Sequence, residues 1–401
     1  MESMSQHPTR RQFLQQAAAI PAASAVAQLA GLRNTAAAEE PSERKLDLQA
    51  PQNVRQTDIL YDPAMYTAFP HVVRLNKDEL LIAFRQAPRE DRIRHTNPRS
   101  IITIMRSYDL GQTWDVKGST QFAAGGGQEL ALIALGNGHV GGLLAMHEVV
   151  PMREAKRSGL SFLYPNEYPH GNVGGFWCWS NNDGLSWRLN HNVLFAPGMQ
   201  PCAPPIRLQS GALLAPIYGS DKNDGFESAL VYRSDDLGKT WSGKTVMADG
   251  NPSTRPYYEP AIIEVARDHV LAVHRVGHTP TGNDSLFWWN ESRDAGKTWS
   301  QPVETDIVSG ACPRLLKLAD GRILLTYGRR YKPAGLHARL SKDGGKTWSK
   351  TSWVLREFPK SDQGYSSSVE IAPGKIFTVC YAQNENGITG ITGTFWDVPK
   401  A

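Results

Sequence analysis

The chain has 401 residues, room for one large β domain or two ordinary ones. Its formal charge is +4, and residues 1–38 carry Arg10, Arg11 and Arg33 against Glu2, which leaves a net of +2 on the remainder. With no Lys/Arg run, that balance gives no footing for a nucleic-acid partner. The four cysteines, Cys178, Cys202, Cys312 and Cys380, form no C-x-x-C pair and read as buried free thiols.

The N-terminus has the features of a targeting segment. Thr9-Arg10-Arg11-Gln12-Phe13-Leu14, followed by the Ala-rich stretch from Ala17 to Leu32, fits a twin-arginine signal. Ala36-Ala37-Ala38 offers an A-x-A cleavage site. Residues 1–38 are therefore expected to be a signal peptide, 39–53 a linker and 54–401 the folded domain, periplasmic or secreted. No other stretch is long and apolar enough to span a membrane.

Beyond the linker, Val54–Leu60 reads as a strand that closes the fold by pairing with the C-terminal unit. Six hairpins follow, over 72–84, 132–146, 205–219, 262–275, 315–328 and 368–381. Each has strong β-formers on both sides of a polar or glycine-containing turn. Between them runs the octamer Ser-x-Asp-x-Gly-x-Thr-Trp, at Ser107–Trp114, Ser180–Trp187, Ser234–Trp241, Ser292–Trp299 and Ser341–Trp348. The second copy is degenerate, with Asn182 and Ser186 at the Asp and Thr positions. The octamer reads as a tight turn: Asp and Ser bond nearby backbone N–H groups, Gly takes a positive φ, and Trp re-enters a strand. A calcium- or sugar-binding loop is the less favoured reading.

Five octamers at offsets of 73, 54, 58 and 49 residues mark a repeat architecture. Six hairpins imply six units of about four strands each, an all-β six-bladed β-propeller. The last unit lacks its octamer and ends in the apolar run Ile388–Val398. The second unit carries an insert, residues 147–175, dense in Tyr, Pro, His and Gly. Its His147, Tyr164, Tyr168 and His170 are candidates for contact with a sugar, against the alternative of a packed surface loop. Trp288-Trp289 reads as one buried and one exposed ring rather than a sugar platform. No H-E-x-x-H, P-loop, G-x-S-x-G, dinucleotide or EF-hand pattern occurs, so no cofactor and no metal are expected.

The octamer is the Asp-box, or bacterial neuraminidase repeat, and with six units the chain resembles the sialidase (neuraminidase) superfamily over residues 55–398. The resemblance implies a retaining glycosidase in which a Tyr assisted by a Glu attacks the anomeric carbon, an Asp serves as acid/base, and three Arg clamp the substrate carboxylate. Gln363-Gly364-Tyr365-Ser366-Ser367 matches the nucleophile segment, giving Tyr365. Tyr257-Tyr258-Glu259-Pro260, with the hairpin closing at His274-Arg275, matches the segment carrying the Glu and the second clamp Arg, giving Glu259 and Arg275. In the loop after the first hairpin, Asp91 matches the acid/base position, beside Glu90 and with His95 as an alternative general acid. The first clamp Arg is missing, since Ala68 stands where it is expected. Arg85, Arg94 or Arg99 could compensate, and the third Arg is Arg330 or Arg329, with Arg314 a further candidate.

The expected function is an exported sialidase-like glycoside hydrolase that removes a terminal acidic sugar from a glycan or oligosaccharide. Two alternatives are a uronate-cleaving polysaccharide lyase using His95 or His147 with Tyr365, and a non-catalytic glycan-binding propeller.

Overall fold

The computed structural model describes residues 47–400 apart from 92, 123–124, 150–169, 188–191, 221–225, 252, 254, 277–285, 309 and 359–361. Tyr164 and Tyr168 lie outside the described residues, as does the segment read as a signal peptide. The described elements are strands, and none is a helix long and apolar enough to cross a membrane.

Strands β1 (Asp47–Gln49) and β2 (Gln52–Leu60) begin within the stretch read as a linker. Six small sheets then follow in chain order. Blade 1 holds β3 (Met65–Arg74), β4 (Leu80–Pro88), β5 (Ile101–Ser107) and β6 (Thr120–Phe122). Blade 2 holds β7 (Gly127–Gly136), β8 (His139–Val149), β9 (His170–Ser180) and β10 (Val193–Pro197). Blade 3 holds β11 (Ile206–Arg207), β12 (Leu213–Gly219), β13 (Ser228–Ser234) and β14 (Ser242–Ala248). Blade 4 holds β15 (Tyr257–Ala266), β16 (His269–Val276), β17 (Leu286–Ser292) and β18 (Val303–Val308). Blade 5 holds β19 (Pro313–Lys317), β20 (Ile323–Arg329), β21 (Gly335–Ser341) and β22 (Thr351–Glu357). Blade 6 holds β23 (Ser366–Ala372), β24 (Lys375–Gln383) and β25 (Thr389–Asp397).

Each sheet is a meander, and the six expected hairpins form the first two strands of the six blades. Blade 6 takes its fourth strand from the other end of the chain: β2 pairs antiparallel with β25, from Gln52 opposite Asp397 to Leu60 opposite Ile391. The expected closure is therefore present. Strand β1 adds a parallel fifth strand to blade 5, along β22.

The octamers join the third and fourth strands of blades 1 to 5. The Ser hydroxyl accepts the Gly N–H at 2.7 to 3.0 Å in all five. The Asp carboxylate accepts the Thr N–H and its hydroxyl, the latter at 2.6 to 2.7 Å in the four regular copies. In the degenerate copy Asn182 Nδ2 donates to Ser186 Oγ at 2.9 Å, so the polarity reverses and the turn survives. These internal bonds hold Asp236 and Asp294 at about 2, and they already occupy the oxygens that a calcium loop would offer.

The glycine has a second task. A Cβ placed on Gly111, Gly184, Gly238, Gly296 or Gly345 would meet Phe377, Leu81, Trp177, Leu214 or Leu271 at 2.1 to 3.1 Å, in each case on the preceding blade. Each box therefore docks its backbone against the neighbouring blade, closer than any side chain would allow. Ahead of the glycine, Leu110, Asp183, Leu237 and Ala295 also have positive φ, a feature the residue types do not advertise. The joint between blades 6 and 5, which has no box, packs an apolar cluster that includes Leu324 and Trp396, and Arg322 Nη1 donates across it to the Pro399 carbonyl at 2.7 Å.

Gly238→Ala is expected to destabilise the protein by about 2–3 kcal/mol, from overpacking on Trp177 and the left-handed backbone together. Gly243→Ala, at φ 66° with open space around it, should lose only the backbone part, about 1 kcal/mol. Denaturant unfolding of the two variants measures the difference.

Candidate active site

Two inner strands share one device. In β3 the Phe69-Pro70 step and in β15 the Glu259-Pro260 step each carry a register shift. Phe69 has φ 58° and Glu259 has φ 46°, a conformation that costs about 1–3 kcal/mol per residue and is kept only where its surroundings enforce it. The shift re-aims each side chain, and both reach Tyr365.

Tyr365 precedes β23. Its hydroxyl donates to Glu259 Oε1 at 2.6 Å, while Arg275 Nη1, from β16, donates to Glu259 Oε2 at 2.8 Å. Burial opposes the charge on Glu259, but Arg275 and the hydrogen bonds from Cys312 and Tyr365 outweigh it and hold the carboxyl at about 2. Burial and the nearby Cys312 and Glu259 push the Tyr365 phenol well above its ordinary range. Arg330, after β20, lies 6.0 Å over the Tyr365 ring, and Phe69 meets that ring edge-on at 5.0 Å.

Phe69 continues the cluster to His95, 6.0 Å between rings. His95 Nε2 is 3.1 Å from Asp362 Oδ1, and Asp362 also accepts from the hydroxyls of Tyr66 at 3.0 Å and Tyr381 at 3.2 Å. Burial works against its charge, but His95 and Tyr66 together keep its carboxyl below the usual range. Asp362 was not among the expected residues. Its signal was its place three residues before Tyr365, on the same entry to β23.

Arg85 is fully buried in β4, directly opposite Ala68 in the β3–β4 register, and its guanidinium lies 5.5 Å from the Tyr66 ring. Asp91 does not join the cluster. It is exposed and lines a cleft of about 430 Å³ with Met65, Glu90 and Arg94, whose wall includes Tyr66. Arg314 is buried below, donating to the Cys202 carbonyl at 2.7 Å, with Glu129 3.9 Å away. Glu129 is 3.1 Å from His71; burial raises the Glu129 carboxyl and lowers the His71 imidazole from their ordinary values. His147 and His170 are buried against each other at 5.3 Å rather than presented as sugar platforms, and burial lowers His147 to about 3. Trp288 and Trp289 are both half-buried, each against a different blade interface, instead of one in and one out.

This is a sialidase-like β-propeller whose polar cluster spans blades 1, 4, 5 and 6. The chain belongs to the BNR repeat-like domain family, which it matches over residues 146–378. Among solved structures it is similar to a Dyadobacter fermentans protein described as of unknown function, with 23% identity, a TM-score of 0.75, and 86% of this chain and 99% of that one covered. A sialidase of Streptococcus pneumoniae follows the same fold at 13% identity and a TM-score of 0.62, over 85% of this chain and 70% of that one. An α-L-arabinanase of Penicillium chrysogenum does so at 14% identity and a TM-score of 0.58, over 85% and 97%. No curated protein matches the chain.

Removing the guanidinium by Arg275→Ala leaves a buried carboxylate without its charge partner, expected to cost about 3 kcal/mol at pH 7. Glu259 is depressed in the folded state, so its contribution is full above its ordinary value of 4.5 and is lost as the pH falls toward about 2. The stability gap between Arg275→Ala and the parent should therefore be largest at neutral pH and shrink between pH 4.5 and 2, as read by urea unfolding across that range.

Proposed function

We propose that the protein is a retaining glycoside hydrolase that releases a terminal acidic sugar from a glycan. The observation that carries this reading is the Tyr365–Glu259 bond of 2.6 Å with Arg275 on the second carboxylate oxygen. A phenol is a poor nucleophile until a base takes its proton. Glu259 is placed to do so as Tyr365 Oη bonds the anomeric carbon and the glycosidic C–O bond breaks. Tyr365 is neutral before attack, so it brings no second anion to a sugar that carries a carboxylate.

The local charges support an anionic substrate. Arg275 pairs with Glu259, Arg330 lies beside Tyr365 and acts on Asp362, Arg85 lies near the Tyr66 ring and Arg314 is 3.9 Å from Glu129, whose carboxyl burial pushes up. Arg330, beside the Tyr365 ring, and Arg275 would hold the sugar carboxylate, with Arg85 standing in for the arginine absent at Ala68.

For the proton that the leaving oxygen needs, His95 is the better placed group. It is partly exposed, it is oriented by Asp362 at 3.1 Å, and Phe69 links it to Tyr365. Asp91, expected in that role, is exposed on the cleft that Tyr66 also lines. In the second half-reaction the same His95 would take a proton from the water that attacks the glycosyl–tyrosine bond.

Tyr365→Phe should lower turnover by at least about a thousandfold and leave a folded protein, less stable by about 1.5–3 kcal/mol for the lost Glu259 bond, since the ring and its Phe69 contact remain. The assay is release of sugar from a panel of glycans ending in acidic residues, with products read by mass spectrometry. Full activity in Tyr365→Phe would remove the nucleophile assignment, and an unsaturated product absorbing in the ultraviolet would replace hydrolysis by elimination.

A further inference from the structure

Beneath Glu259, two thiols from different blades meet. Cys202 lies in the segment that enters blade 3, and Cys312 stands immediately before β19 in blade 5. Both are buried, and their sulfurs are 2.9 Å apart. That is only about 0.9 Å longer than a disulfide bond. The remaining two cysteines, Cys178 and Cys380, are also buried but lie in strands β9 and β24, in the apolar clusters between blades 1 and 2 and between blades 5 and 6.

We propose that Cys202 and Cys312 are a redox-reactive pair that closes to a disulfide across the floor of the channel. A peroxide small enough to enter the channel is the oxidant. Burial pushes the Cys202 thiol up, and Arg314 Nη2, 3.6 Å from the Cys202 sulfur, offsets part of that cost where a thiolate forms in passing. The Cys202 sulfur attacks one peroxide oxygen, the O–O bond breaks, and a water leaves with the thiol proton. The Cys312 sulfur then attacks the Cys202 sulfenic acid. The S–S bond forms as the S–O bond breaks, and a second water carries away the Cys312 proton. Two thiols and one hydrogen peroxide become one disulfide and two waters.

The same three side chains, Cys202, Cys312 and Glu259, have ligand atoms within 4.8 Å of one another, which also suggests a soft metal ion. The surroundings argue against that occupant. Arg275 and Arg314 bring two positive charges to the site, at 2.8 Å from Glu259 and 3.6 Å from Cys202. Both Glu259 oxygens are already engaged, and three ligands fall short of the four that a closed zinc site takes. A disulfide is neutral and needs none of these partners to move.

Closure has two consequences. The bond ties residues 110 apart and encloses all of blades 3 and 4, so the oxidised protein should unfold at a higher temperature than the reduced one. It also removes the Cys312 hydrogen that supports the Glu259 charge. On the hydrolase reading above, that strengthens Glu259 as a base, so oxidation should raise turnover about tenfold, and a dithiol reductant should reverse the change.

The test counts thiols in the full-length protein, with and without hydrogen peroxide, by alkylation after unfolding. The four free cysteines should fall to two, with the peptides carrying Cys202 and Cys312 joined in a non-reducing map. Protein isolated already joined, and returning to four thiols with reductant, supports the proposal equally. In Cys202→Ser and, separately, Cys312→Ser no joined peptide should form, and peroxide should no longer raise the unfolding temperature. Four thiols persisting through peroxide treatment would overturn it. So would one zinc per chain whose removal by a chelator exposes the two thiols. None of these readouts needs a sugar to be cleaved, so they stand apart from the fate of the hydrolase reading.

Discussion

The pairing of β2 with β25 is the constraint on which the architecture depends. It puts the two ends of the folded domain into one sheet, and only then can the six inner strands face a common axis. An open arc of blades would leave the edges of blades 1 and 6 without partners, and those edges carry the Phe69 and Tyr365 contact. Closing the ring also fixes how far each blade rotates from the last. The box glycines set that spacing by letting backbone lie against the core side chains of the preceding blade. Catalytic-scale geometry at the axis is thus governed from the periphery, through contacts between residues that never approach the channel.

At the axis itself the fold stores strain where the chemistry is read. Phe69 and Glu259 adopt positive φ without being glycine, each before a proline and each at a shift in strand register. A regular strand would turn these side chains into the blade. The bulge turns them toward Tyr365, and the Glu259 bonds to Tyr365 and Arg275 help to offset the cost.

Much of this was legible in the residues, for a physical reason. The Asp-box is a local motif whose hydrogen bonds run between residues two and four apart, so its spacing alone reveals five blades, and the hairpin turns reveal the sixth. Tyr365, Glu259 and Arg275, expected from short segments that resemble the sialidase pattern, come together in space, each on or beside an inner strand. What stayed hidden depends on partners across strands or blades. Ala68 reads as a lost arginine, yet its cross-strand neighbour is Arg85, and no spacing along the chain displays that register. Asp362 is bound by Tyr66, His95 and Tyr381, from blade 1, its following loop and blade 6. Cys202 and Cys312 are separated by 110 residues and meet only because the ring brings blades 3 and 5 together under blade 4. Asp91, by contrast, was read from a charge-rich loop, and such loops face solvent whether or not they serve a site.

The shared arginine gives the cluster a built-in coupling. Arg275 pairs with Glu259, and the resulting low pKa makes that carboxylate a weak base toward Tyr365. An anionic sugar that drew one edge of the Arg275 guanidinium to its own carboxylate would add negative charge beside Glu259 and loosen its ion pair. Both changes raise the affinity of Glu259 for a proton. The base would then strengthen as the site fills, and a neutral sugar of the same shape would leave it weak. On the hydrolase reading, selectivity for an acidic substrate therefore follows from proton affinity as well as from binding, because the same guanidinium serves the nucleophile's base and the substrate's charge.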